Sequence, residues 1–368
     1  MNPLAGVRVV ELARILAGPW CGQILADLGA EVVKVERPGA GDDTRHWGPP
    51  FLFDGAGGNR DAAYYHACNR GKRSVAIDIA TPEGQDAVRA LVADADVVIE
   101  NYKVGGLVKY GLDHASLSAL HPRLVTCSIT GFGQTGPYAH RAGYDFIIQG
   151  MGGAMSLTGE PDGTPQKSGV AYADIFTGTF SAVAILAALR RRDATGAGAH
   201  IDMALLDTQV AVLANQALNW MASGQVPHRM GNGHANLAPY QAFACADGEL
   251  IVAVGNDGQF ARLCAILGLA LHTDPRFATN PARVANRDAL IPPLARAILD
   301  WRKRDLAEAL EMQGVPAGPI NRVDEVFADP QVVARGMRIE RGGLPGLAGP
   351  IVIDGERLIA DLPSPPRP

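Results

Sequence analysis

From residue 7 onward, short apolar runs alternate with longer stretches of helical spacing. Val7–Leu12 reads VRVVEL, a β-branched run, and Glu31–Glu36 reads EVVKVE, with Gly18–Gly29 carrying a helical pattern between them. Val75–Ile79 (VAIDI) alternates as a strand does. Thr81-Pro82-Glu83 then supplies a cap, a proline for the first turn and an early acid, which starts a helix running to about Ala93. Asp96–Glu100 and Leu124–Ile129 are further strands. Strands separated by helical stretches of this length predict parallel βαβ units and a doubly wound α/β sheet.

Further along, Asp174–Arg192 (DIFTGTFSAVAILAALRRR) is a clear helix, rich in Ala and Leu and basic at its end. His200–Leu206 follows, then a long helix towards Met221. Over Ser223–Pro239 the texture changes to Gly, Asn, His and Pro. A strand at Leu250–Val254 and helices near Phe260–Leu267, Arg287–Trp301 and Asp305–Gln313 come next, and sequence after Val315 is irregular or strand-like. A chain of 368 residues is more than one core comfortably fills. The pattern therefore predicts a large α/β domain over residues 1–205, a linker over 206–225 and a smaller α+β domain over 226–320.

Composition narrows the function. A net charge of -5 leaves no basic excess for a nucleic acid, although a small anion needs only a local pocket. The five cysteines form no C-x-x-C pair, which predicts free thiols in a reducing cytoplasm and neither disulfides nor zinc. The first residues lack the charged start of a signal peptide, and no stretch approaches 18 uncharged apolar residues, so no membrane span is expected. Gly131-Phe132-Gly133-Gln134-Thr135-Gly136 matches G-x-G-x-x-G, but Pro137-Tyr138 follows where a dinucleotide site needs a helix. It reads as a glycine-rich loop. With no phosphate loop, no H-E-x-x-H and no G-x-S-x-G, neither a metal nor a redox or nucleotide cofactor is expected.

Asp174 stands at the start of the longest apolar helix, after the approach Ser168-Gly169-Val170-Ala171-Tyr172-Ala173. Two readings fit that position. An Asp there is a favoured N-cap. The same place, with helix amides keeping the carboxylate ionised, suits a nucleophile. Spacing alone favours the cap.

Several segments together resemble the class III CoA-transferases, the family of formyl-CoA:oxalate transferase, carnitine CoA-transferases and α-methylacyl-CoA racemase. They are AGPWCGQILADLGAEVVKVERPGAGDDTR (17–45), NRGKRSVAIDIATPEG (69–84), DVVIENYKVGGLVKYGL (96–112), GFGQTGP (131–137), AGYDFIIQ (142–149), GVAYADIFTGT (169–179) and GVPAGPINRVDEVFADPQVVARGM (314–337). The match runs nearly the whole chain in order.

The resemblance implies a Rossmann-like large domain completed by residues 325–368, and an interlocked homodimer in which each chain threads the other. The long connectors near 206–240 and 315–345 suit that assembly. It places the covalent nucleophile on Asp174. Contacts to CoA, a substrate here and not a cofactor, fall on Ile15, Leu16, Arg37, Asn69, Lys72, Asn101, Tyr102 and Lys109, with Tyr144 and Asp145 counted among the substrate-binding residues. Arg37, Lys72 and Lys109 are the residues that would pair with CoA phosphates. Arg45, Tyr144 and His234 are candidates to face the acyl group, and Gly231-Asn232-Gly233-His234 a covering loop or a plain linker.

Two departures matter. The racemases carry a His where this chain has Tyr144, and a phenol of pKa ~10 is a poor proton shuttle near neutral pH. The transferase reading therefore leads, with an acyl-CoA racemase or epimerase as the alternative and a non-catalytic CoA binder behind it. The family's Gly-His C-terminal motif is not found before Pro365-Pro366-Arg367-Pro368, so its closing helix is expected to be absent. The partners implied are an acyl-CoA and a carboxylic acid.

Overall fold

The computed structural model describes residues 2–53 and 60–368. They form two compact units. The first takes the chain up to Ala154, Lys167–Ala214 and Asp329–Pro368; the second takes Met155–Gln166 and Asn215–Ala328. The short segment 155–166, read from sequence as part of the large domain, groups with the second unit.

The first unit is built on six strands: β1 (Arg8–Glu11), β2 (Glu31–Glu36), β3 (Lys72–Ala76), β4 (Val97–Glu100), β5 (Val125–Thr130) and β6 (Ala199–Ala204). All neighbours are parallel, in the order β3-β2-β1-β4-β5-β6. That is a doubly wound order, and it reverses direction between β1 and β4. Helices α1 (Ala17–Asp27), α2 (Pro82–Ala93), α3 (His114–Leu120), α4 (Asp145–Met151) and α5 (Tyr172–Thr195) surround it. Val9, Val32, Val97, Ile99 and Val125 pack with Cys21 and Leu25 of α1 on one face. Val10, Val35 and Val98 pack with Val88 and Val92 of α2 on the other. Burial on both faces is why these strands read as nearly unbroken apolar runs.

β3 begins three residues earlier than its apolar run suggested. Lys72 and Arg73 hide the start, because a strand can bury a lysine when a carboxylate meets it, and Lys72 lies 2.9 Å from Glu11. The helix expected to reach Met221 is two pieces, Leu205–Ala211 and Ala214–Ser223. The break falls at Ala214, whose φ of 45° is left-handed.

Helix α5 is long and apolar enough to cross a membrane by length and composition alone. It serves as a core helix, with Thr177, Gly178, Ser181, Ala182 and Ile185 buried. Gly178 lies so close to the carbonyl of Ala17 in α1 that a Cβ would overlap it, so the two helices touch backbone to backbone.

The C-terminal segment is fastened to the first unit. Arg70 donates to the Leu347 carbonyl at 2.6 Å, and the Ala360 N–H donates to Asp27 at 2.9 Å. Residues 358–368 contain no helix.

The second unit holds an antiparallel sheet of β7 (Tyr240–Cys245), β8 (Gly248–Ala253) and β9 (Ala317–Pro319), with β8 central. Helices α6 (Asp257–Ile266), α7 (Arg287–Leu299) and α8 (Lys303–Met312) bury Phe260, Leu294, Ile298 and Leu306 against Phe243, Leu250 and Val252. The buried Arg283 guanidinium is satisfied by the carbonyls of Ala238 and Phe277 and by Asp257.

Candidate active site

A cavity of about 430 Å³ opens at the carboxyl ends of the parallel strands. Arg14, Ile15 and Leu16 follow β1; Asn101, Tyr102 and Lys103 follow β4; Thr130 ends β5 and Gly131 follows it; all line the cavity. This is where the strand order reverses, the place where open α/β sheets leave a crevice for ligands. Gly131 faces Gly143 so closely that a Cβ on either would strike the other's backbone. The glycine there serves chain packing, and no helix follows it, as the sequence implied.

Asp174 reaches the same cavity from the first turn of α5. It is not the cap of that helix. The N-cap position belongs to Ala171, which has no side-chain acceptor. The capping acceptor comes from α4: Asp145 Oδ1 takes the Ala173 N–H at 2.9 Å, and its Oδ2 takes Gln149 Nε2 at 2.7 Å. Gln149 Oε1 in turn accepts the Ser168 N–H at 2.9 Å, fixing the approach to the helix.

Among the described residues the Asp174 carboxylate has no hydrogen-bond or ion-pair partner. Burial raises its pKa from 3.8 to about 7, and the negative charge of Asp145 adds to the rise. The expectation that helix amides keep Asp174 strongly ionised is thereby corrected: desolvation and a like charge outweigh the helix end. A carboxylate so placed is poorly solvated and titrates near neutrality, which suits a nucleophile.

The other sequence candidates separate into three sets. Ile15, Leu16, Asn101, Tyr102, Lys109 and Tyr144 line the cavity with Asp174. Arg37 is exposed, bonds Asp43 at 3.2 Å, and lines a smaller hollow of about 250 Å³ that shares Arg14, Tyr102 and Tyr110 with the main cavity. Asn69 and Lys72 are buried and line neither of these two cavities. Lys72 Nζ donates to Glu11, to the Pro19 carbonyl at 2.8 Å and to Asn69 Oδ1 at 2.9 Å. Burial holds its ammonium below the ordinary value in spite of Glu11. Both are corrected from CoA contacts to internal supports. Arg45 is corrected likewise: it is wholly buried between Glu36 and Asp61, with the Tyr65 ring 3.7 Å away, and cannot face an acyl group.

Gly231, Gly233 and His234 lie in the second unit. The Gly231 N–H donates to Gly159, the His234 N–H donates to Tyr240, and the Arg287 guanidinium donates to the His234 carbonyl at 2.6 Å. Sequence reasoning passed over Arg14 and Arg141, two cavity-lining guanidiniums. Arg14 directly precedes Ile15 and carried the signal; Arg141 lies just outside the AGYDF segment.

Residues 4–366 match the family model for CoA-transferase family III. A succinate–glutarate CoA-transferase of Agrobacterium fabrum is 59% identical over 369 residues, covering 99% of this chain and 92% of the relative. The human succinyl-CoA:glutarate CoA-transferase is 43% identical over 341 residues, covering 92% of this chain and 76% of the relative. Among solved structures, a CAIB/BAIF family protein from Brucella suis superposes with a TM-score of 0.88 at 61% identity, covering 99% of this chain and 96% of that one. A match of this length, over a doubly wound sheet with a desolvated aspartate in its crevice, makes this chain a member of CoA-transferase family III, and so a transferase enzyme.

Proposed function

We propose that the protein moves CoA between short dicarboxylic acids, of the succinate and glutarate class, through acyl intermediates on Asp174. The observation that carries this is the lone Asp174 carboxylate in the cavity, with a pKa of about 7 and no partner among the described residues. Its relatives' names supply the acid class.

Each half of the reaction balances without an outside reagent. An Asp174 oxygen attacks the thioester carbonyl of the donor acyl-CoA, forming a mixed anhydride as the C–S bond breaks and CoA leaves as thiolate. The thiolate attacks the Asp174 carbonyl carbon, freeing the donor acid and leaving an aspartyl-CoA thioester. The acceptor carboxylate then attacks that thioester, and the thiolate returns to the acceptor's acyl carbon, restoring Asp174. Thioester energy is kept throughout, so CoA is a substrate and no further cofactor takes part. Water must be excluded, because it would hydrolyse the activated Asp174.

The same reading makes the first unit, with its C-terminal piece Asp329–Pro368, the Rossmann-like CoA-binding domain, and assigns a covering role to the loop at Gly231–His234. It also makes the protein a cytoplasmic homodimer of interlocked chains. Exposed Phe146, Ile147 and Met151 of α4 and Phe176, Phe180 and Val183 of α5 support a partner surface, since an isolated chain would leave them in water. Incubation with acyl-CoA and hydroxylamine, followed by peptide mapping, tests the intermediate. Hydroxamate on Asp174 is the expected result; hydroxamate on another carboxylate, or full activity in Asp174→Asn, overturns it.

A further inference from the structure

Arg14 and Ile15 form the part of the cavity wall that follows β1. All four of their backbone polar groups are held by side chains from distant parts of the chain. Asn101 accepts the Arg14 N–H at 2.9 Å and donates Nδ2 to the Arg14 carbonyl at 2.6 Å. Asp42 accepts the Ile15 N–H with both carboxylate oxygens, at 3.2 and 3.3 Å. The Cys68 thiol lies 3.6 Å from the Ile15 carbonyl and donates to it.

The residue so fastened is strained. Ile15 has a φ of 76°, in the left-handed region, where a β-branched side chain meets its own backbone. Glycine would sit there without cost, yet the chain has isoleucine. Such a conformation persists only where the surroundings over-determine it, and it is concentrated at functional sites.

The holding group has a buried foundation. Asp42 lies 2.9 Å from Lys34 and accepts the Thr44 N–H and hydroxyl at 2.9 and 2.8 Å. Lys34 in turn bonds Glu11 and the Ala13 carbonyl, at 3.0 and 2.8 Å. Burial alone would push the Asp42 carboxyl up, but Lys34 and Thr44 outweigh it and hold it below the ordinary value. Asp42 is thus an ion at neutral pH, with one oxygen edge given to the Ile15 amide.

We infer that Asp42 is a positioning residue for CoA binding: it fixes Ile15 in its left-handed conformation and so shapes the wall of the cavity that receives CoA. If φ at Ile15 relaxed to negative values, the Arg14 and Ile15 peptide planes would swing out of that wall. The inference rests on the reading that this cavity takes CoA.

A double-mutant cycle tests it, read as the dissociation constant for CoA itself, which needs no chemistry at Asp174. Asp42→Ala in the natural chain should weaken CoA binding roughly tenfold, because the Ile15 N–H loses its acceptor and the strained turn is no longer pinned. In an Ile15→Gly chain, whose backbone needs no pinning, the same Asp42→Ala change should cost less than about twofold. Equal losses in the two chains, or no loss in either, overturn the inference. Should Asp42→Ala fail to fold, Asp42→Ser, which keeps a hydroxyl beside Thr44 but removes the carboxylate that accepts the Ile15 N–H, carries the same cycle with the same two outcomes. A natural chain that binds no CoA sinks the functional reading instead, so the two failures are told apart.

Discussion

The carboxylate of Asp145 accepts the Ala173 N–H at 2.9 Å, one residue before Asp174. One acid therefore caps helix α5 and the other is left without a partner. The pair divides two jobs that the sequence had offered to a single residue. Asp145→Ala should cost about 1 kcal/mol of stability, the usual worth of a cap. Asp145→Asn keeps an acceptor and should cost much less, yet it removes the negative charge beside Asp174. Its pH–rate profile should consequently shift to lower pH, which stopped assays across pH 5 to 9 would show.

The pKa of Asp174 near 7 sets a pH dependence of its own. The attacking form is the ionised one, so kcat/KM should climb through neutrality and level off above about pH 8. Stability should run the other way. The folded pKa lies above 3.8, so between about 3.8 and 7 the native state binds more protons than the unfolded chain, and stability falls as pH rises across that window. Asp174→Asn removes this penalty. The variant should be inactive but more stable than the natural protein at pH 8, with no such gain below pH 4. The difference has a ceiling of about 4 kcal/mol, reduced by the partial exposure of the group. Urea unfolding at the two pH values measures it.

Lys72 gives the opposite pairing of effects. It is sealed beneath the sheet with Glu11 and Asn69, so removing it leaves their oxygens short of a donor. Lys72→Met should lower stability by about 3–5 kcal/mol, the cost of breaking a buried pair. The affinity of the folded fraction for CoA should stay within about twofold. A large loss of affinity without loss of stability would return Lys72 to the binding site.

The sheet was legible because its strands are buried on both faces and its helices carry strong start signals, as at Thr81-Pro82. Charge was less legible. Arg37, Lys72 and Arg45 are alike as letters, yet one is exposed and two are enclosed by carboxylates that come from β1, β2 and residue 61. Ion pairs across 9 to 61 residues of chain leave no local pattern. The cap of α5 was misplaced for the same reason: its acceptor lies 28 residues upstream. The strained φ of Ile15 was wholly hidden, because the usual signal, a glycine, is missing.

Arg141 offers a test of acid selectivity. Four cations line the cavity with Asp174: Arg14, Lys103, Lys109 and Arg141. Arg14 is committed to Asp43 at 2.6 Å. Lys109 lies over the Tyr110 ring, 4.7 Å from its centre. Arg141 stacks 4.0 Å over the Tyr138 ring and has no carboxylate partner among the described residues. A guanidinium braced on an aromatic face keeps its planar donors free for a carboxylate. While one end of a dicarboxylic acid reacts at Asp174, the other end must find a cation or stay in water. Arg141→Ala should therefore raise KM for glutarate roughly tenfold, in keeping with the loss of one charge-assisted contact of about 1.5 kcal/mol. KM for butyrate, which lacks the second carboxylate, should barely move. Arg141→Lys keeps the charge without the fork and should fall between. An equal rise for both acids would mean that Arg141 shapes the cavity without reading the second carboxylate, and a rise confined to the acyl-CoA donor would assign it to the CoA phosphates.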